Sequence, residues 1–317
     1  MKTMPASSMK SLDDDESFSS LVTRGVFKAP NIKTFDDEIK DLTLEGDPDF
    51  DHTNTQLDSA PVYDTFKPHD CWIIPHTVSD FVCMQCLASS LKEYHALRFM
   101  KAWRQVAQPF CKSHNKLLDS FPARNSDLMS FLMQKPSSLR TTLPENILQM
   151  IACAAIKIYE DLIERMHFEC PAAAQKRFSA FRFLLELFLH AQSDSGGIAS
   201  FYMSAPRSRD SRWQPFSWQS SFQTGAVISN ALERACAIIM FHAISSDASQ
   251  ISIDPITARI AGFGYHYPIT PESIGSLSRL VMSEVNPAVT ARLHSYSETL
   301  NCIAYQSFLR GFHLDKC

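Results

Sequence analysis

The stretch ECPAAAQKRFSAFRFLLELFLHAQ, residues 169–192, contains the apolar run that decides the fold class. Pro171 stands where a helix can begin, because the first turn does not need the amide hydrogen that proline lacks. Large apolar residues follow on most sides of the expected helix: Phe178, Phe181, Phe183, Leu184, Leu185, Leu187 and Phe188. A helix of this kind is packed by other helices, so the stretch predicts a central helix in a helical protein.

The helical pattern continues on both sides of this stretch. Apolar residues recur at intervals of three and four in residues 79–106, with Ser79 as the expected cap and Pro109 as the expected stop. Residues 141–166 and 217–245 show the same helical periodicity of apolar residues. Three later segments each open with a capping residue followed by proline, a strong signal for a helix start: Asp254-Pro255, Thr270-Pro271 and Asn286-Pro287.

Strand patterns are rare in the chain. Only residues 250–254 (QISID) and 265–269 (YHYPI) read as short strands bounded by turns. Strands that alternate with helices, as in βαβ units, are not expected. The predicted fold class is all-α, with about eight helices in one multi-helix globular body.

The N-terminal segment differs from the body in composition and charge. Residues 1–60 are rich in Ser, Asp, Thr and Pro, and their apolar residues are too sparse to offset the entropy of ordering the chain. Residues 1–70 carry a net charge of −8 and residues 71–317 carry +4, within a total of −4. We therefore predict a disordered acidic arm over 1–60 and a helical body over 61–317, which a loop at 194–214 could subdivide.

The cysteines and the apolar pattern indicate a compartment. The nine cysteines are an odd number and no secretory signal precedes them, which favours reduced thiols over a disulfide framework. No window holds the roughly 18 uncharged apolar residues that a membrane span needs. The expectation is a soluble, intracellular protein without a membrane partner.

A cysteine and histidine pattern is the sharpest candidate for chemistry. Cys83 and Cys86 form a CxxC pair, and Cys111 and His114 form a CxxH pair, which are spacings that four-coordinate zinc uses. Cys83 and Cys86, however, fall on the apolar stripe of a predicted helix, with no turn residue between them. Two buried core cysteines explain the pattern equally well. The prediction is a chain without a cofactor, with zinc bound by these four residues as the alternative.

Two aromatic segments are candidates for contacts. Residues 206–218 alternate arginines with aromatic side chains, and such a loop can contact single-stranded nucleic acid, pack against another copy of the protein, or simply be a solvated loop. The residues concerned are Arg207, Arg209, Arg212, Trp213, Phe216 and Trp218. The second segment precedes the first long helix and is expected to anchor the arm to the body through Phe66, Trp72, Ile73 and Ile74.

Signs of catalysis are absent from the sequence. There is no HExxH, GxSxG or P-loop motif, and the GxG in AGFGYHY lacks the third glycine of a dinucleotide site. His167 and Cys170 are close in sequence, but no oxyanion-forming loop lies beside them, so a core or capping role is favoured over a nucleophile with its base. The expectation is that the protein is not an enzyme.

The sequence pattern of the chain resembles that of the coat proteins of partitiviruses, and most of all those of the plant cryptic viruses. The resemblance rests on YDTFKPHDCWIIPHTVSDF, on RWQPFSWQSSF, and on a helical body that follows a Ser/Asp/Pro-rich arm. It implies a subunit that dimerises and builds a small shell around double-stranded RNA, without sequence-specific binding, in the virion and the host cytoplasm. The acidic arm departs from this pattern, because phosphate repels it, and a role in bracing neighbouring subunits suits it better.

A different class of function remains open. The chain could be a cellular helical interaction or scaffold module, stabilised by zinc at Cys83, Cys86, Cys111 and His114. An enzyme with an unrecognised helical site is a third alternative, without positive support from any residue. The size of the assembly separates the first two readings.

Overall fold

The structure, a computed structural model, describes residues 80–94, 98–121, 143–190, 197–199, 225–226, 228–246, 270–282 and 287–313. Helices make up 73% of this part of the chain, which confirms the expected helical class. The described part contains seven α-helices, near the expected eight: α1 (Met84–Tyr94), α2 (Glu145–Phe168), α3 (Pro171–Leu189), α4 (Ala231–Ser245), α5 (Pro271–Leu280), α6 (Pro287–Ser295) and α7 (Ile303–His313).

Four short strands accompany the helices, and the sequence pattern did not predict them. They are β1 (Asp80–Val82), β2 (Phe110–Cys111), β3 (Lys116–Leu117) and β4 (Asp119–Phe121). β1 and β4 form one two-stranded sheet, and β2 and β3 form another. Strands of two or three residues are too short to show a period in the sequence, so only their partners reveal them.

The expected helix over 79–106 is wrong in its extent. Residues 80–82 form β1, the helix proper is Met84–Tyr94, and Lys101–Arg104 form a turn of 3₁₀-helix. Phe81 and Val82 are both buried, so this segment lacks the solvent-exposed face that an amphipathic helix would have. Pairing with β4 decides the conformation of these residues, and tertiary context of this kind overrides a local periodicity.

Contacts between residues divide the chain into two units. Of the described residues, the first unit holds 80–94, 98–105 and 121, and the second holds 106–120 and everything from 143 onward. In the first unit, β1 packs against the 3₁₀ turn, whose Trp103 is buried. The Ser90 hydroxyl donates to the Leu87 carbonyl and accepts from the Arg98 amide.

The second unit is built around α4. Thirteen of the fifteen residues of α4 are buried, and α2, α3, α5, α7 and β3 all pack against it. Asn230 begins the helix with a capping box, in which its side chain accepts from the Glu233 amide at 2.9 Å. The Glu233 carboxylate in turn accepts from the Asn230 amide at 3.0 Å. Hydrogen bonds at the start of the helix are therefore satisfied within the helix itself.

The helix that the sequence placed at the centre, α3, is enclosed only along its second half. Its residues from Ala180 to Leu189 are almost all buried, and the Phe181 ring meets Phe241 of α4 edge to face at 5.0 Å. The first half holds exposed Lys176 and half-buried Arg177, which pairs with Glu169 at 2.5 Å. Charged side chains keep that half of the helix in contact with water.

The proline signals for helix starts are confirmed where the structure describes them. Pro171, Pro271 and Pro287 are the first residues of α3, α5 and α6. Thr270 caps α5, because its hydroxyl accepts from the Ser273 amide at 3.1 Å. The Asp254-Pro255 start and the short strands expected at 250–254 and 265–269 lie outside the described residues.

The domain predictions concern segments that the structure does not fully describe. The arm over 1–60 lies outside the described residues, and so does most of the loop at 194–214. Residues 197–199 of that loop are buried. Both the arm and the subdivision at 194–214 stay predictions. No helix in the described ranges is long and apolar enough to cross a membrane.

Two glycines allow α5 and α7 to cross in close contact. A Cβ atom on Gly275 would overlap the carbonyl of Phe308, and one on Gly311 would overlap the carbonyl of Glu272. Backbone atoms of a helix cannot yield as a flexible side chain can, so these positions exclude any side chain. The contacts also show that α5 and α7 run antiparallel, because the start of α5 lies against the end of α7.

We predict that Gly275→Ala and Gly311→Ala each reduce the free energy of unfolding by about 1–3 kcal/mol, the usual cost of overpacking. Urea denaturation followed by circular dichroism measures the loss. Gln306→Ala, at an exposed position of α7, is the control and should change stability by less than about 0.5 kcal/mol. Wild-type stability in both glycine variants would contradict the close crossing.

A second prediction concerns the acid stability of the fold. Burial lowers the pKa of His190 from 6.5 to about 4, although a backbone hydrogen bond with Leu187 opposes the shift. The folded chain therefore keeps the ring neutral, and its contribution is complete above pH 6.5 and is lost as the pH falls toward 4. His190→Gln should flatten the decline of stability over this range by up to about 3 kcal/mol. Urea denaturation at several pH values tests this, and an unchanged slope would refute it.

Candidate metal centre

The first pair of candidate ligands lies where β1 passes into α1. The Cys83 carbonyl accepts a hydrogen bond from the Leu87 amide at 3.0 Å, which makes Cys83 the residue that begins the helix. Cys86 lies three residues later, in the first turn. Cys83 is buried and Cys86 is half-buried.

The prediction that both cysteines lie inside a helix, with no turn between them, is therefore wrong for Cys83. The passage from strand to helix supplies the turn. A capping residue and the residue three positions later lie on the same side of a helix start, as capping boxes show. Both thiols can therefore serve one ion.

The second pair lies on a β-hairpin. β2 and β3 pair antiparallel, with Phe110 opposite Leu117 and Cys111 opposite Lys116. His114 stands in the four-residue turn between the strands. The residue after it, Asn115, has a φ of 50°, in the left-handed region that Asn tolerates better than most residues. The turn folds His114 back over the end of β2.

The structure brings all four residues together. One ligand atom from each of Cys83, Cys86, Cys111 and His114 can be chosen so that all lie within 4.8 Å of one another. Within this group, Cys111 Sγ and His114 Nδ1 are 3.5 Å apart. Cys83 and Cys111 are buried, and Cys86 and His114 are half-buried. Among the described residues this is the one such cluster of three or more candidate ligands.

Helix α2 holds the hairpin in place through charges and rings. Lys112 pairs with Glu160 at 3.2 Å, and Lys116 pairs with Glu145 at 2.8 Å. The Phe110 ring meets Tyr159 edge to face at 6.0 Å. The two ion pairs are half exposed, so each contributes about 0–1 kcal/mol, and the buried aromatic contact carries more of the attachment.

Tyr159 joins this attachment through a polar contact as well. Gln108, just before β2, donates from Nε2 to the Tyr159 hydroxyl at 3.3 Å. Burial raises the pKa of Tyr159, and the bond from Gln108 opposes that shift. The phenol is therefore a neutral anchor for the hairpin at physiological pH.

The cluster has the chemistry of a metal centre. Three sulfur donors and one imidazole nitrogen are a set that Zn²⁺ uses in closed, tetrahedral sites, with no position left for a substrate. The same residues without metal would be three thiols, with a weak hydrogen bond between Cys111 and His114. The geometry thus fits the alternative that the sequence left open.

The other residues singled out from the sequence are placed as follows. His167 stands in the last turn of α2, and Cys170 precedes α3 at an exposed position, where its side chain makes no capping bond. The remaining candidates lie outside the described residues, and their roles stay predictions: Arg207, Arg209, Arg212, Trp213, Phe216, Trp218, Phe66, Trp72, Ile73 and Ile74.

The residues that shape and hold the second ligand pair are not among those that the sequence pattern singled out. Asn115 and the run Lys-Ser-His-Asn are typical of a turn, and that composition could have predicted a hairpin between Cys111 and Lys116. Lys112 and Lys116 gave no such signal, because their partners Glu145 and Glu160 lie some thirty to fifty residues away.

Comparisons with known proteins give no relative. No protein-family model, no curated protein and no solved structure matches this chain. Support for a function therefore comes from its own residues and geometry.

The hairpin turn generates a prediction. Asn115→Val should reduce the free energy of unfolding by about 1–2 kcal/mol or more, because a β-branched residue resists a positive φ. Asn115→Gly is the matched control and should keep wild-type stability, since glycine adopts this conformation freely. Urea denaturation compares the two. Equal stability of the valine and glycine variants would show that the turn does not need the left-handed residue.

Proposed function

We propose that this protein is a structural protein that assembles with copies of itself, and that the assembly is a viral coat around an RNA genome. The resemblance of two aromatic segments to partitivirus coat proteins supports the viral part of the proposal. The helical class of the body agrees with what that resemblance implied. The role is non-catalytic, in the virion and the host cytoplasm.

The observation that carries self-assembly is the exposure of large apolar side chains on helices. Phe168 at the end of α2 is 86% exposed, Ile303 at the start of α7 is 75% exposed and Leu280 at the end of α5 is 59% exposed. Single apolar residues on a surface are ordinary. Two that lie together are different, because a contact with another subunit would bury them.

Leu280 and Ile303 are at the same end of one helix pair. The close contacts of Gly275 and Gly311 make α5 and α7 antiparallel, so the last residue of α5 and the first residue of α7 are at the same end. Both side chains are exposed at this end of the helix pair. A second copy of the chain is the occupant we propose for this apolar end.

The charge of the chain suits a nonspecific RNA partner better than a specific one. Residues 71–317 carry a net charge of +4, well short of a dedicated nucleic-acid binder. In the proposed shell, this modest charge lies near the genome, and the arginine-rich loop at 206–218 contacts RNA or a neighbouring subunit. The acidic arm braces neighbouring subunits, because phosphate would repel it.

A second function is favoured by a different observation. The four clustered ligands at Cys83, Cys86, Cys111 and His114 suit a cellular interaction or scaffold module whose fold depends on zinc. Such a module would remain a monomer or dimer. The size of the purified protein therefore separates the two functions, whereas its metal content alone does not.

The proposal predicts that the purified full chain forms large particles. Size-exclusion chromatography with light scattering should show assemblies of many subunits, and electron micrographs should show closed shells. The double variant Leu280→Ser with Ile303→Ser should shift the population toward small species while its circular dichroism spectrum is unchanged. Gln306→Ala, on the same helix, should assemble as the wild type does.

Two results would contradict the proposal. A wild-type monomer or dimer at micromolar concentration would remove the coat function and favour the scaffold module. Particles that form equally well from the double variant would keep self-assembly but remove the proposed contact at the ends of α5 and α7.

A further inference from the structure

We propose that Cys83, Cys86, Cys111 and His114 bind one Zn²⁺ ion in a closed site whose role is structural. The inference goes beyond the proposed function and does not depend on it, because a coat protein and a scaffold module can both contain such an ion. It rests on four arguments from this chain: distance, donor chemistry, charge and local backbone geometry.

The distances fit a shared ion. With Zn–S at about 2.3 Å and Zn–N at about 2.0–2.1 Å, tetrahedral geometry separates a sulfur and a nitrogen ligand by about 3.6 Å and two sulfurs by about 3.8 Å. Cys111 Sγ and His114 Nδ1 are 3.5 Å apart. The whole set lies within 4.8 Å, so small rotations of the side chains bring every ligand onto the tetrahedron.

The donors select the metal. Three thiolates exclude Mg²⁺ and Ca²⁺, which prefer oxygen, and mixed sulfur and imidazole donors suit zinc in a reducing compartment. Four protein ligands also fill the coordination sphere. With no position left for water or substrate, the ion would stabilise the fold rather than catalyse a reaction.

The surrounding charges favour thiolates. Cys83 and Cys86 stand at the N-terminus of α1, the positive end of the helix dipole. A Zn²⁺ ion with three thiolates and a neutral imidazole has a net charge of −1. The positive end of the helix offsets part of that charge, and each thiol that binds releases its proton to solvent.

The local backbone presents each ligand pair without rearrangement. The helix start positions Cys83 and Cys86 on one side, and the hairpin turn with Asn115 at φ 50° positions His114 next to Cys111. Four ligands that converge from two separate turns have a specific arrangement. Buried core thiols have no need to converge with a histidine in this way.

The ion would tie residues 83–86 to residues 111–114, across a segment of the chain between them. Closing such a loop stabilises the folded chain, and the binding energy of the metal is added to folding, because the site does not exist in the unfolded chain. Loss of the ion should therefore appear as a loss of stability, whatever the function of the protein.

The test measures metal content and stability together. The full chain is expressed with zinc in the medium, purified under reducing conditions and analysed by plasma mass spectrometry. We expect one equivalent of zinc per chain. Removal of zinc with a chelator should lower Tm by about 5–10 °C, as expected for a ligand held at about 100 times its Kd, and added zinc should restore it.

Variants assign the ligands. Cys83→Ser and Cys111→Ser should each reduce the zinc content at least about tenfold. His114→Cys keeps four donors and should retain one equivalent, which tests the site even where the serine variants fail to fold. Cobalt in place of zinc should give the strong sulfur-to-metal absorption of a thiolate site in the wild type and in His114→Cys.

Two other cysteines serve as matched controls. Cys236 is fully buried in α4, where burial raises the pKa of its thiol, and Cys153 is exposed on α2. Cys236→Ala and Cys153→Ser should both retain one equivalent of zinc. Wild-type protein that holds less than about a tenth of an equivalent after expression with zinc, or a loss of zinc in Cys153→Ser as large as in Cys111→Ser, would overturn the proposal.

Discussion

Burial of α4 on every side is the constraint on which the second unit depends. A helix with thirteen of fifteen residues buried needs apolar neighbours around its whole circumference. α2, α3, α5, α7 and the strand β3 supply them. α5 and α7 both pack against α4 and also lie close to each other. Their close approach requires the two glycines, Gly275 and Gly311.

The same burial places a charged side chain in the interior of the second unit, and a neighbouring residue at the start of α4 offsets that charge. Arg234 is fully buried, and burial lowers its pKa to about 9, so it remains charged at neutral pH. The neighbouring Glu233 opposes that shift with its negative charge, and it also completes the capping box with Asn230. A buried charge is tolerated when an opposite charge and hydrogen bonds lie next to it.

This framework also positions the hairpin that holds two of the candidate metal ligands. α2 packs on α4, and the hairpin that holds Cys111 and His114 is attached to α2 through Phe110, Lys112 and Lys116. The hairpin is short, and a two-stranded hairpin has little stability of its own. Its attachment to the long helix α2, together with the proposed metal ion, would give it a fixed shape.

The sequence by itself determined the helical class, the proline starts of α3, α5 and α6, and the spacing of each ligand pair, because these features depend on residues within a few positions of one another. It did not determine β1, the hairpin, or the enclosure of α4 in place of α3. It also left open whether Cys83 and Cys86 were core residues or ligands. The structure brings Cys83 and Cys111, twenty-eight residues apart in the chain, into one cluster, and this supports the proposal that they are ligands. A separation of three residues fixes two side chains through local backbone geometry, whereas one of twenty-eight does not, and only tertiary packing brings such residues together.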